Sequence, residues 1–403
     1  MKILLLTPQL PYPPHQGTSL RNYHIIRGLA ARHDIHLLSF AEENGGSNRD
    51  VPERLRALCA DVVAVPAPRR TMAQRLWRMV SRRRPDMAHR LESEAFVRAL
   101  QTVLNGHRFD VVQVEGIELA RYMPTVRRLS PGCKLVFDDH NAEAALQYSA
   151  FLADARRPRR WPAAAYSLVQ TLRLRRFERW ACRTADAVTV VSEPDGRALQ
   201  RLAPGIEPTV IPNCIDVESY RQPPDSAVPR YDVVFTGKMD YRPNVDAVSW
   251  FGRKIWPLIR QVRPETTWAV VGQKPHRRLA WLRQESGVTV TGRVAEIQPY
   301  LTGARVYVMP LRMGSGTRLK MIEAMAAEKA IVSTPIGAEG YDVAPGHHLL
   351  LAETAAEFAD SVLRLLGDDA ERERLGASAA RFAAVYDWRE VIPRFDEVYQ
   401  RLT

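Results

Sequence analysis

The sequence predicts an α/β protein made of two Rossmann-like domains, each a doubly wound parallel sheet. Length is the first indication: 403 residues are too many for one compact core and suit two domains of roughly 200 each. Rhythm is the second. Short, β-branched apolar runs alternate with helical patterns, as they do in βαβ units. The third is a single polar, proline-rich interruption, after which the rhythm restarts.

The first domain is expected over residues 1–217. Its strands read as Lys2–Thr7, Ile35–Phe40, Val62–Val65, Val111–Val114, Lys134–Phe137, Ala187–Val191 and Thr209–Ile211. Most are short and bounded by turn residues, as strands buried on both faces of a parallel sheet are. Helices fit between them, for example Leu20–Arg32 and Arg176–Thr184. Residues 218–230 (Glu-Ser-Tyr-Arg-Gln-Pro-Pro-Asp-Ser-Ala-Val-Pro-Arg) read as the linker. The second domain, 231–384, has strands Asp232–Thr236, Thr267–Val271, Val288–Thr291, Val306–Met309, Ala330–Ser333 and His348–Leu351. Its helices include Val245–Arg260 and Arg318–Glu328. Within 385–403, a last helix at Trp388–Leu402 follows the completed second sheet.

Composition narrows the class. Apolar residues make up 46%, too many for a disordered chain. No stretch reaches the roughly 18 apolar residues of a membrane span. Ile3–Leu6 before Pro8 is far shorter than the core of a signal peptide, so a cytoplasmic protein is expected. Cys59, Cys133, Cys182 and Cys214 are scattered, with no CxxC pair to suggest zinc. The net charge of +12 suits phosphorylated ligands, nucleic acid or anionic lipid. It is concentrated in two clusters. One holds Arg69, Arg70, Arg75, Arg78 and Arg82–Arg84, with Leu76, Trp77, Met79 and Val80 among them. The other runs from Arg156 to Arg183, with Trp161, Tyr166, Phe177 and Trp180 interleaved. Nucleic acid is not expected, because no zinc, RNP or helix-turn-helix signature accompanies the charge.

In open α/β sheets ligands bind beyond the carboxyl ends of strands, so two such domains facing each other make a cleft lined by post-strand residues. Gly314-Ser315-Gly316-Thr317-Arg318-Leu319-Lys320 follows the strand Val306–Met309 and opens a helix. Glycines let backbone N–H groups approach an anion, a helix N-terminus favours negative charge, and Arg318 and Lys320 add two cations. A diphosphate needs this set. It is not a P-loop, since no Gly-Lys-Ser/Thr triplet has the required spacing. Glu323, further along that helix, could accept hydrogen bonds from ribose hydroxyls or pair with Lys320 at i, i+3. Gly237 and Lys238 end the strand Asp232–Thr236. Gly17 lies in the proline-stiffened loop after the first strand, as a ligand contact or as a plain loop glycine. Asp138-Asp139-His140-Asn141 places ionisable groups after the strand Lys134–Phe137. It is not Asp-x-Asp, so no metal–diphosphate site is expected.

With these residues collected, the chain resembles the retaining glycosyltransferases of family 4, which have the GT-B fold. The resemblance runs through nearly the whole chain and is most specific between Pro310 and Pro335, where Gly-Ser-Gly-Thr-Arg-Leu-Lys-Met-Ile-Glu-Ala-Met-Ala leads into Ile331–Pro335. The family carries two glutamates seven residues apart here. Glu323 matches the second, which implies a contact to the donor ribose. The first falls on Ser315, a departure that leaves the amides of Gly316 and Thr317 to hold the sugar. The segment resembles a branch with a Gly-x-Gly-Thr-Arg-Leu-Lys donor loop. Looser matches are Ile211-Pro212-Asn213-Cys214-Ile215-Asp216, with Cys214 in place of glycine, and Phe235–Lys238, whose cation would contact the diphosphate. The family's second lysine is missing near Arg242–Asn244, which gives its part to Arg318 or Lys320. His140 matches a histidine that contacts the donor sugar. Gly17 matches one of a glycine pair, Gly292-Arg293-Val294 a loop whose backbone reads the base, and Trp388–Leu402 a final helix crossing back to the first domain.

The resemblance implies transfer of a sugar from a nucleoside-diphosphate sugar to a hydroxyl with retention, and no resident cofactor or metal. The acceptor would be a glycan or lipid-linked molecule in polysaccharide or glycolipid assembly, handled at the inner face of a membrane. An anionic membrane is the expected partner of the basic aromatic clusters. The competing readings are a sugar-nucleotide epimerase, a sugar phosphorylase and a non-catalytic nucleotide-sugar-binding subunit.

Overall fold

The structure is a computed structural model that describes residues 1–14, 17–41, 51–71, 84–156, 158–221, 230–314 and 316–403. Ser315, most of the expected linker and the basic stretch Arg75–Arg83 lie outside the described residues. The chain divides into two compact units, Met1–Asn213 with Trp388–Thr403, and Cys214–Asp387.

The first unit is built on seven parallel strands: β1 (Lys2–Thr7), β2 (Asp34–Ala41), β3 (Asp61–Pro66), β4 (Val111–Glu115), β5 (Lys134–Asp139), β6 (Ala187–Val190) and β7 (Thr209–Val210). Their order across the sheet is β3-β2-β1-β4-β5-β6-β7. Central strands are covered on both faces, which is why β1 and β4 carry runs such as Ile3–Leu6 with almost no exposure. The strand order reverses between β1 and β4, so the connections leaving these two strands diverge and open a crevice at their carboxyl ends.

The second unit repeats the plan with β8 (Tyr231–Thr236), β9 (Trp268–Val271), β10 (Val288–Gly292), β11 (Ala304–Met309), β12 (Ala330–Ser333) and β13 (Leu350–Leu351). The order is β10-β9-β8-β11-β12-β13, all parallel. Here the reversal falls between β8 and β11. The glycine-rich segment follows β11 and the Gly237-Lys238 pair follows β8, so both sit at the switch point.

Several helices differ from expectation. The first spans Gly17–Leu29, so Gly17 begins a helix instead of lying in the loop. The helix expected at Arg176–Thr184 starts at Trp161; Pro162 is tolerated in its first turn and the alanines after it favour helix. The helix expected at Val245–Arg260 runs as Arg242–Trp250, a π-turn at Phe251–Ile255, and Trp256–Val262. A Cβ at Gly252, inside that turn, would lie 2.8 Å from Trp281, so the helix packs its backbone directly on an indole.

The unit boundary precedes the expected linker at 218–230. Residues 214–221 belong to the second unit because Ile215 bridges to Asp387, the Val217 N–H donates to the Asp387 carboxylate at 3.0 Å, and Tyr220 donates to Glu323. The C-terminal residues from Trp388 belong to the first unit. They form helices Trp388–Val391 and Pro393–Leu402. Ile392 fills the space a side chain would need at Gly28, Asp396 meets His33 at 2.5 Å and Arg32 at 2.8 Å, and Tyr399 donates its hydroxyl to Gln113 of β4.

Two glycines at the carboxyl edge of the second sheet are dictated by backbone contact. Gly237 and Gly272 have φ of 148° and 150°, a region L-residues avoid. A Cβ on Gly272 would lie 1.8 Å from the Gly237 carbonyl oxygen. Gly272→Ala should therefore lower the stability of the second unit by at least about 2 kcal/mol. Thermal melts of that variant check this, and an unchanged midpoint would contradict the packing described.

Candidate functional site

In the second unit the site is organised around Lys320, on the first turn of the helix Leu319–Ala326. Its ammonium donates to the Thr236 carbonyl at 2.9 Å and to Asn244 Oδ1 at 2.7 Å, and lies 4.4 Å from the centre of the Phe235 ring. Asn244 is fixed in turn by donating to the Lys238 carbonyl at 2.9 Å. Gly237 makes this approach feasible, because a Cβ there would lie 2.7 Å from both Lys320 Nζ and Asn244 Nδ2. Burial pushes the Lys320 ammonium down to about 7, against the attraction of Glu323. A cation held partly deprotonated at the switch point is poised to gain from an anion brought next to it.

Glu323 lies one turn further on. One of its oxygens accepts from the Tyr220 hydroxyl at 3.1 Å. It forms no ion pair with Lys320 within 4.0 Å, so the i, i+3 salt bridge is not realised, although the two charges still influence each other. Among the described residues nothing takes its second oxygen. Burial raises the carboxyl above its ordinary value.

The loop before the helix matches the anion-cradle expectation in part. Gly314 and Gly316 have φ of 121° and 79°, so neither position suits an L-side chain. The helix begins at Leu319, with Arg318 as the extended residue before it. Arg318 is a loop-bracing cation: its side chain is mostly buried, donates to the Gly316 carbonyl and lies 3.9 Å from Glu339. Thr317 and Leu319 are half-buried. Lys238 is exposed and lies 3.8 Å from Asp240. Arg293 and Val294 follow β10, the edge strand, with Arg293 exposed. Lys320, Glu323, Gly237, Gly314, Gly316 and Thr317 thus follow the ends of β8 and β11, where the crevice opens.

In the first unit His140 sits just beyond β5 in a buried network of charges. Its Nε2 lies 2.9 Å from Glu115 Oε2 and 3.5 Å from Asp138 Oδ2. Arg21, from the helix Gly17–Leu29, grips Asp138 with two bonds of 2.7 and 2.9 Å and donates also to the carbonyls of Ile211 and Pro212. Thr189 donates to Asp138 at 2.5 Å, and Gln113 donates to Glu115 at 2.5 Å. Arg21, Asp138 and Glu115 are essentially inaccessible. Burial opposes the imidazolium, but its hydrogen bonds to Asp138 and Glu115 outweigh it and push His140 up to about 9. Burial and the charge of Asp138 raise Glu115, while Arg21 and His140 hold Asp138 far below its ordinary value. Nδ1 of His140 has no described partner, so the ring keeps one N–H to offer.

Glu115, Asp138 and His140 could together offer three metal-ligating atoms within 4.8 Å. The bidentate hold of Arg21 on Asp138 already places a full positive charge where a cation would have to bind, so the set fits a charge-balanced scaffold better than an ion. Sequence reasoning missed Glu115, Gln113 and Arg21. A signal was present: Gln113 and Glu115 alternate on one face of an otherwise valine strand and so point the same way. Gly17 is exposed at the start of its helix, and Asp139 is buried within the same unit.

The comparisons agree with this architecture. Residues 16–219 match the model described as Glycosyltransferase Family 4, and residues 230–368 match Glycosyl transferases group 1. The first match alone covers just over half of the chain, and the chain belongs to glycosyltransferase family 4. A phosphatidyl-myo-inositol mannosyltransferase of Mycobacterium leprae is 27% identical over 51% of this chain and 56% of its own length. The chain spans only 36% to 56% of the length of the first curated relatives it matches. Sucrose-phosphate synthase from Thermosynechococcus elongatus superposes with a TM-score of 0.74 at 18% identity, over 100% of this chain and 99% of that one. Anabaena HepE, solved in complex with UDP, gives 0.66 at 14% identity over 100% of both chains. These likenesses define the fold as GT-B.

The raised value of His140 carries a pH dependence. Because it lies above the ordinary 6.5, protonation favours the folded first unit. This contribution is complete below about pH 6.5 and is lost as pH rises through about 9. The melting temperature should fall more steeply between pH 7 and 9.5 in the native chain than in His140→Gln, and NMR should show the His140 titration moving down in Glu115→Gln. Parallel pH profiles for both proteins would contradict the network.

Proposed function

We propose that the chain is a retaining glycosyltransferase that takes a sugar from a nucleoside-diphosphate donor and attaches it to a hydroxyl of a glycan or lipid-linked acceptor, as in polysaccharide or glycolipid assembly. The observation that carries this reading is the Lys320 ammonium, held at the β8/β11 switch point between Thr236 and Asn244 beside Gly237. Anabaena HepE, which shares the fold, is solved in complex with UDP, and this supports a nucleotide-sugar donor as the ligand.

In this reading the amides of Gly316 and Thr317 and the Lys320 ammonium receive the diphosphate. Charge builds on the β-phosphate as the glycosidic bond breaks. A fixed donor aimed at it lowers the barrier by roughly 3 kcal/mol. Lys238 and Arg318 add longer-range positive charge. Glu323, with one oxygen on Tyr220, offers the other to the ribose. Gly292–Val294 lies along the base, and His140 would direct Nδ1–H at a sugar hydroxyl. No side chain in either set is placed as a nucleophile, which favours front-face attack with the leaving phosphate taking the acceptor's proton. The reaction needs no resident metal here, since Lys320 and Arg318 supply the positive charge.

Two measurements test this. Lys320→Ala and Glu323→Ala should each lower donor turnover by about 100-fold, the loss of one well-placed group; near-native rates in both would sink the assignment. Donor bound in full without turnover for any acceptor would instead mark a non-catalytic binding subunit. The second measurement exploits Lys320, which burial holds at about 7. A diphosphate beside it restores the proton. Binding should therefore take up nearly one proton at pH 8.5 and almost none at pH 5.5, read by calorimetry in buffers of different ionisation enthalpy. Equal uptake at both pH values would contradict the role given to Lys320.

A further inference from the structure

The first unit carries a helical hairpin that the proposed chemistry does not use. Helices Glu143–Ala155 and Trp161–Thr184 pack along each other. In the longer helix, Ala164, Ser167, Gln170, Thr171, Leu174, Phe177, Glu178 and Ala181 are buried and form its inner face. The opposite face is not polar, as a solvated helix would be. Trp161, Ala165, Leu168 and Leu172 fall at i, i+4, i+7 and i+11 and form one outward stripe, with Val169 beside it. Trp161 is 62% exposed and Leu172 56%. The shorter helix adds exposed Tyr148 and Leu152.

The same stripe continues in arginine. Arg175, Arg176, Arg179 and Arg183 carry it to the end of the helix, and all four are exposed. Arg156 and Arg159 flank Trp161 at the other end and are exposed as well. The acids of the hairpin do not neutralise them. Glu178 is fully buried, where it accepts the N–H groups of Glu143 and Ala144, and Asp154 is paired with Arg160 at 2.7 Å. Of the aromatics interleaved with the arginines in sequence, Phe177 is in the core and Trp180 packs on it, while Trp161 and Tyr166 remain outside.

We propose that this outer face docks on an anionic lipid bilayer. An apolar stripe bounded by cations is what lies flat in the headgroup region, with the apolar residues below and guanidinium groups among the phosphates. Tryptophan favours that boundary because its ring is apolar and its N–H is polar. A second copy of the same face is a poorer partner, since both copies would bring the exposed Arg156, Arg159, Arg175, Arg176, Arg179 and Arg183 into one contact. No helix among the described residues is long and apolar enough to cross a membrane, so the contact would be peripheral. The inference rests on the hairpin alone and is independent of the donor site.

Flotation with vesicles tests it, using the full chain and no substrate. The chain should bind vesicles of phosphatidylcholine with roughly a third phosphatidylglycerol at low salt, and bind pure phosphatidylcholine far more weakly. Arg175→Gln with Arg176→Gln should weaken anionic binding by about 25-fold, at about 1 kcal/mol for each arginine near the surface. Trp161→Ser with Leu172→Ser should also release the chain, and because these side chains are exposed the melting temperature should hold. Equal binding to neutral and anionic vesicles would overturn the proposal. So would native binding in both variants, since the contact would then lie elsewhere in the chain. A shift from dimer to monomer in the Trp161/Leu172 variant, with vesicle binding intact, would make the face an interface between copies and overturn it as well.

Discussion

The second unit is arranged around one costly placement, an ammonium drawn off solvent at the carboxyl edge of a parallel sheet. Lys320 is tolerated there because its protons meet the Thr236 carbonyl and Asn244, and because the Phe235 ring lies beneath it. Gly237 must lack a side chain for the ammonium to fit, and Gly272 must lack one for the Gly237 carbonyl to fit. The glycines at two strand ends and the asparagine of the following helix are thus consequences of where one lysine points. The compensation is incomplete, since burial still lowers its proton affinity. An incoming diphosphate would supply the missing negative charge, which is how stored desolvation becomes selective affinity for an anion.

The first unit manages the opposite problem. Glu115 and Asp138 end adjacent central strands and are both buried, so their charges repel at close range. Arg21 from one side and His140 from the other divide them into two neutral pairs. Tyr399 reaches the same network through Gln113, so the C-terminal helix helps lock the orientation of Glu115. The outcome is an imidazolium whose Nε2 is committed to Glu115 and Asp138. In each unit, the polar groups are concentrated at the carboxyl ends of central strands.

The sheets were legible because buried parallel strands leave a strong local signature. All thirteen expected strands, from Lys2–Thr7 to the short β13, are present. Helix limits were less so. The helix expected from Arg176 begins at Trp161, and Gly17, expected in a loop, begins a helix. The candidate residues at strand ends were legible where the local pattern marks them, as at Gly314, Gly316, Lys320, Glu323 and His140. They were hidden where the partner comes from a remote segment. Nothing near Arg21 in sequence indicates Asp138, 117 positions away, and nothing near Glu323 indicates Tyr220. Lys238 is exposed beside Asp240, while Lys320, inside the helix, is half-buried against Thr236 and Asn244.

The role proposed for Lys320 is to anchor a nucleoside diphosphate. The most direct measurement is a thermal-shift series with UDP, GDP and ADP on the native chain and on Lys320→Met. One nucleotide at about one hundred times its Kd should add roughly 2.7 kcal/mol to the native chain and raise its melting temperature, with the shift largely lost in the variant. Equal shifts in both proteins, or no shift with any of the three nucleotides, would contradict it.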